Sequence, residues 1–191
     1  MRLYLIRHPR PELAAGTCYG QADLPADAGH CSEVVAALAQ SLPPGARIIS
    51  SPLQRCSVLA HALAQAMQSK VPVLDTRLIE MDFGNWEMRR WDDIARAEID
   101  AWAADTVHYP PGGGESVLQM AARVMEFLRD IQRQPDAVVV VVCHAGPIRL
   151  MQAYRQGMQV AELAAQAVNS VTGPAAILYG QCVQIDVPRI G

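Results

Sequence analysis

The chain lacks any stretch of the roughly 20 apolar residues that a membrane-spanning helix needs. No signal peptide is expected either, because residues 2–8 read as a strand with charge immediately after it. The chain lacks an excess of positive charge. Its formal net charge is −3, which argues against nonspecific nucleic-acid binding and leaves any important arginine to act locally. Paired cysteines are absent: Cys18, Cys31, Cys56, Cys143 and Cys182 are odd in number and show no CxxC spacing. Free thiols in a reducing cytoplasm are therefore expected in place of a disulfide framework. No repeat, linker or disordered block interrupts the 191 residues, of which 51% are apolar and 18% charged. That length suffices for one domain with its own core.

Strand and helix signals alternate along the chain. Residues 2–7 form an apolar strand, followed by a Gly/Pro-rich loop over 9–29. A helix with Val35, Leu38, Ala39 and Leu42 on one face runs into Pro43-Pro44-Gly45. Arg47-Ile48-Ile49 is a short strand. Ser51-Pro52 is expected to cap the next helix, with proline at its first position, and that helix carries Cys56, Leu59, Ala60, Leu63 and Met67. Val71 to Leu74 is a brief third strand. Residues 76–114 hold all three tryptophans and a Pro110-Pro111-Gly112-Gly113-Gly114 break, and read as a helical, lid-like insertion over the sheet edge. From Glu115 to Gln134, Val117, Met120, Ala121, Val124, Phe127, Leu128 and Ile131 make one helical stripe. Residues 137–143 are apolar on both faces, as in a central parallel strand. A helix from Pro147 to Gln156 is expected to end at Gly157. Residues 175–179 and 182–187 read as a closing strand pair. The expected fold is a three-layer α/β/α sandwich spanning 1–191, with a mostly parallel central sheet and a small helical lid insertion.

Three strand-to-loop junctions carry unusual polar groups: Arg7-His8, then Ser50-Ser51-Pro52-Leu53-Gln54-Arg55, then His144-Ala145-Gly146. Taken singly, each histidine reads as structural and Arg55 as a solvated helix residue. Together they fall on one edge of one sheet, where open α/β sheets bind ligands. Two arginines and two histidines suit a phosphoryl group, which carries about −1.5 to −2 charges at neutral pH. Guanidinium groups bind its oxygens in bidentate fashion. One histidine can attack phosphorus while the other, protonated, steadies the equatorial oxygens. His30 and His61 on helices and His108 in the insertion carry no such pattern. No HxxxH or CxxC spacing supports a metal site, so no metal or other cofactor is expected.

These junctions, in this order and over nearly the whole chain, resemble the histidine phosphatase superfamily, which includes cofactor-dependent phosphoglycerate mutases. Arg7-His8-Pro9 resembles the opening Arg-His-Gly motif, and residues 50–55 and 144–146 resemble its second-arginine and closing His-x-Gly segments. The resemblance implies that His8 accepts the phosphoryl group and that Arg7, Arg55 and His144 bind it. Residues 78–87, Leu-Ile-Glu-Met-Asp-Phe-Gly-Asn-Trp-Glu, resemble a stretch of the phosphatase branch, nearest to alpha-ribazole phosphatases of cobalamin assembly. That implies Glu80 as proton donor. One carboxyl group can protonate the departing alkoxide and then deprotonate the attacking water. Glu87 is read as structural, an acid near a helix N-terminus, and Glu115 and Ser116 as the start of the long helix.

Two departures stand out. Pro9 replaces the glycine after the histidine, removing a backbone N–H, and Met88 replaces a glycine. Arg10 reads equally as a third cation at the mouth, contacting substrate, or as a solvated loop residue. The expected activity is a metal-independent phosphomonoesterase acting through phosphohistidine on a small phosphorylated metabolite, with alpha-ribazole 5'-phosphate a candidate. A mutase of the same family and a phospho-ligand binding protein without catalysis stay open, as does the choice between monomer and homodimer.

Overall fold

The computed structural model describes residues 1–169 and 176–190. Its elements run β1 (Arg2–Arg7), α1 (Ala28–Leu38), β2 (Arg47–Ser50), α2 (Gln54–Ala66), β3 (Val73–Leu74), α3 (Arg96–Ala104), α4 (Val117–Gln132), β4 (Val138–Cys143), α5 (Ala145–Ala153), α6 (Val160–Asn169) and β5 (Cys182–Asp186). The sheet order is β3-β2-β4-β1-β5. The pairs β3–β2, β2–β4 and β4–β1 are parallel, while β5 runs antiparallel to β1 at the edge.

Period-two alternation sorts the central strands' side chains onto two faces. Leu3, Leu5, Val139 and Val141 pack against α4, α5 and α6. Ile6, Ile48, Val140 and Val142 pack against α1 and α2. Both faces of β4 are therefore buried, which is why its sequence is an unbroken valine run ending in Cys143. The result is a sheet between two helical layers. Over 76–114 there are four short tight-helical turns and α3. Trp86, Trp91 and Trp102 gather there with Phe83; Trp91 and Trp102 stack with centroids 6.2 Å apart.

Several boundaries differ from the sequence expectation. The helix after β2 begins at Gln54, not Pro52. Leu53 is its N-cap residue, and the Ser51 hydroxyl is drawn to a histidine instead. The long helix begins at Val117 with a capping box. Gln119 N–H donates to the Ser116 hydroxyl at 3.3 Å, and the Gln119 side chain accepts from Ser116 N–H at 2.8 Å. The helix α5 stops at Ala153, short of Gly157. The helix α6 was not expected; its apolar face is built from Leu163 and the small residues Ala164 and Ala167. The strand expected over 175–179 is absent at 176–179, and Ala175 lies outside the described residues. What β5 closes against is β1.

Candidate active site

Backbone ladders set the three polar junctions level. One residue past β1, the His8 N–H donates to the Cys143 carbonyl at 3.0 Å. Beyond β2, the Ser51 N–H donates to the Val142 carbonyl at 2.9 Å. These bonds continue the parallel pairing to β4 and place His8, Ser51 and His144 side by side at the carboxyl edge. The rings of His8 and His144 lie 5.0 Å apart, centroid to centroid.

His8 is almost fully buried, with 1% of its surface exposed. Its Nδ1 lies 2.6 Å from the Pro9 carbonyl, an acceptor only, so Nδ1 carries the hydrogen and Nε2 the lone pair. No hydrogen bond among the described residues engages Nε2. Pro9 has lost an N–H, and the group the site uses is its carbonyl. Burial, followed by the Arg55 guanidinium, pushes the His8 pKa down to about 3. His144 is also fully buried. Burial first, then His8 and Arg55, hold its pKa well below the usual histidine range. This burial favours the neutral form of His144. Its Nε2 lies 2.9 Å from Ser51 Oγ and 3.4 Å from Cys56 Sγ.

The two arginines are anchored by carbonyls. Arg55, fully buried, donates to the Gly20 carbonyl at 2.5 Å and to the Ala22 carbonyl at 2.7 Å. Arg7 donates to the Ile177 carbonyl at 2.5 Å and lies under the Tyr179 ring, 3.9 Å from its centroid. Neither forms an ion pair among the described residues, and the Nε of each is buried without a partner. Tyr179 is fixed because Gly180 N–H donates to the Arg7 and His8 carbonyls. Its hydroxyl meets that of Tyr19 at 2.7 Å.

Glu80 reaches the same edge from the insertion. Its Oε2 accepts from Gly146 N–H at 3.2 Å and its Oε1 from Met81 N–H at 3.1 Å. A Cβ on Gly146 would stand 2.2 Å from Glu80 Oε1, so the close approach needs glycine. Arg123 holds the Glu80 segment. It donates to the Arg77, Ile79 and Glu80 carbonyls and takes a two-pronged grip on Glu115, both prongs 2.7 Å. Glu87 is not a helix N-terminal acid: it accepts from the Gln21, Ala22 and Phe83 N–H groups and so fixes the loop whose carbonyls hold Arg55.

The structure thus brings Arg7, His8, Arg55, Glu80 and His144 together and leaves Arg10 out. The Arg10 side chain is exposed and pairs with Asp27 at 3.0 Å. An apolar cavity of about 550 Å³ opens beside the site, with Met81, Phe83, Trp102, Met120 and Leu150 in its walls and Glu80 and Arg149 among its charged residues. Among the described residues no group of three or more His, Cys, Asp or Glu is placed to hold a metal ion, and no helix is long and apolar enough to cross a membrane. Ser51, Tyr19, Tyr179, Arg123 and Arg149 were not read as site residues. Only Ser51, inside a quoted motif, carried a signal that could have found it.

A family model for the histidine phosphatase superfamily (branch 1) matches residues 3–177. The chain belongs to the histidine phosphatase superfamily. Within it, the chain is 32% identical over 177 residues to a glucosyl-3-phosphoglycerate phosphatase of Mycolicibacterium vanbaalenii, covering 83% of this chain and 76% of that protein. It is 32% identical over 168 residues to the adenosylcobalamin/alpha-ribazole phosphatase of Escherichia coli, covering 83% and 80%. Among solved structures of the superfamily, the alpha-ribazole phosphatase of Shigella flexneri superposes with a TM-score of 0.79 at 26% identity, covering 98% and 91%. The chain also spans 43% of the length of a bifunctional protein of Mycobacterium tuberculosis, 34% identical over 158 residues, or 78% of this chain.

Proposed function

We propose that this chain is a metal-independent phosphomonoesterase that works through a phosphohistidine on His8. One observation carries the reading: His8 Nε2 holds a free lone pair beside two guanidinium groups that no carboxylate among the described residues neutralises. Buried cations without a counter-charge are costly unless an anion completes them. A phosphomonoester supplies that anion, and Arg7 and Arg55 take its equatorial oxygens. Nε2 then attacks phosphorus and the P–O ester bond breaks. Glu80, in its acid form, gives its proton to the departing oxygen. Water attacks the phosphohistidine, Glu80 takes a proton from it, and inorganic phosphate leaves with His8 restored. The bound dianion reverses the balance that keeps His144 neutral, so that His144 donates to an equatorial oxygen in the transition state.

The substrate is a small phosphorylated metabolite. The relatives' names suggest alpha-ribazole 5'-phosphate and glucosyl-3-phosphoglycerate as types to assay. The apolar cavity takes the leaving group, and its volume is that of a small-ligand site. The whole chain acts as one domain, with residues 76–114 forming the lid. The test is direct. A single turnover of ³²P-labelled substrate, quenched in base, should leave label on the protein. His8→Ala should abolish that label and lower kcat by several decades. Retention of more than about a tenth of wild-type turnover in His8→Ala overturns the covalent route.

A further inference from the structure

Of the charged residues in the cavity wall, Arg7 and Glu80 are used by the reaction above, and Arg149 is not. Arg149 is half-buried on α5, and Ala145, Gly146, Arg149 and Leu150 line the cavity together, as i, i+3 and i+4 spacing on a helix dictates. Its side chain makes no hydrogen bond or ion pair among the described residues. None of the remaining residues is an aspartate or glutamate. The partly buried arginines elsewhere are matched: Arg77 by Asp75 and Asp130, Arg123 by Glu115. A guanidinium has five donors and no way to discharge itself, so one left unmatched beside an apolar wall offers an incoming anion a charge-assisted partner.

The position of Arg149 says which part of the ligand that anion belongs to. Gly146, one turn earlier, holds the Glu80 carboxylate that protonates the leaving oxygen. Side chains one turn apart start roughly 5–6 Å from each other. An anion at Arg149 thus sits a few bonds beyond the ester oxygen, on the leaving group and not on the transferred phosphoryl. We propose that Arg149 binds a carboxylate on the leaving group, so that phosphomonoesters of hydroxy acids are preferred substrates. A second phosphate fits less well, since its charge of about −2 would face one guanidinium. The inference rests on the phosphatase reading.

The experiment compares 3-phosphoglycerate with glycerol 3-phosphate, which differ at the carboxylate, and uses 4-nitrophenyl phosphate as a gauge of phosphatase activity itself. The wild-type kcat/KM ratio should favour 3-phosphoglycerate by about 10- to 100-fold, the range of a charge-assisted hydrogen bond. In Arg149→Gln the ratio should fall towards one, chiefly through KM, and Arg149→Lys should restore part of it. Glycerate should inhibit the wild-type enzyme better than glycerol, a comparison that needs no variant. A wild-type ratio near one, or an unchanged ratio in Arg149→Gln, overturns the proposal while nitrophenyl turnover leaves the phosphatase reading standing. Preference for propane-1,3-diol bisphosphate over 3-phosphoglycerate overturns the carboxylate assignment. Failure to hydrolyse any of the four esters sinks both readings together.

Discussion

Mild acid should destabilise the free protein well before its carboxylates titrate, and His8 gives the size of the effect. Its pKa is about 3 in the folded protein against 6.5 for a solvated imidazole. The unfolded chain therefore binds a proton below pH 6.5 that the folded chain refuses until about pH 3. A folded pKa depressed on a base makes stability fall as the pH falls through that window. Between pH 6.5 and 5.0 the unfolded-state ratio of protonated to neutral imidazole rises from about 1 to about 30, while folded His8 stays neutral. Linkage converts this to a loss of roughly 1–2 kcal/mol. His8 is 1% exposed, so solvent screening does not dilute the figure. His144 adds a loss of the same sign, because burial and the neighbouring His8 and Arg55 depress it too. Asp75, whose pKa is held low by its bonds to Arg77, contributes stability that is lost only at more acid pH.

The assay is urea unfolding at pH 6.5 and 5.0. Wild type should lose at least roughly 1–2 kcal/mol over that interval, and His8→Ala should lose less than wild type by about that amount. The alanine variant will also carry a packing cost, but that cost is the same at both pH values and cancels in the difference. Equal pH dependence in the two proteins would mean that His8 is not held neutral, and the argument for a free Nε2 lone pair would fall with it.

Arg55→Lys should weaken vanadate or tungstate binding at least tenfold. A single ammonium cannot hold the Gly20 and Ala22 carbonyls and also fork onto the anion; equal affinity removes Arg55 from the pocket. Glu80→Gln should slow the first step on alkyl phosphates by roughly 10²–10⁴ and on nitrophenyl phosphate far less, with a phosphoenzyme burst on the latter. Equal losses in single-turnover assays and no burst would make Glu80 structural. Gly146→Ala should lower alkyl-phosphate turnover by about tenfold or more at nearly unchanged melting temperature. The new Cβ meets the Glu80 carboxylate at 2.2 Å, and its other near neighbours are the flexible end of Met120. Full activity in that variant would mean the carboxylate works from elsewhere.

What could be read from sequence is what side-chain periodicity and motif order encode. The valine run of β4 and the stripe of α4 announce themselves because both are decided by burial. The five candidate residues that the fold brings together were legible because three of their loci follow apolar strands. The helix α6 was not, since its face is mostly alanine and alanine marks helix without marking a side. Ser51 looks like a cap, but its hydroxyl instead meets His144, so the helix starts two residues later than expected. Arg10 has the charge and the chain position of a ligand. Asp27, which also accepts the His30 N–H at the head of α1, captures it, and no spacing rule announces a pairing across 17 residues.

Backbone carbonyls are the least legible part of the site, and they leave its guanidinium groups without a carboxylate partner among the described residues. Had carboxylates anchored Arg7 and Arg55, each guanidinium would already be neutralised, and an arriving phosphoryl group would gain little. Four carbonyls do the anchoring instead: Gly20 and Ala22 for Arg55, Ile177 for Arg7, and Pro9 for His8. Each orients its partner through a dipole and leaves the net charge intact. The anchors must themselves be rigid, and here the acids enter at one remove. Glu87 fixes the 20–22 loop through backbone N–H groups, and Gly20 packs so closely on Met81 that a Cβ would come 1.9 Å from its carbonyl oxygen. Positive charge is thus concentrated at the sheet edge of a chain whose net charge is −3. Pro9 fits this arrangement: the position contributes an acceptor, and proline removes only a donor.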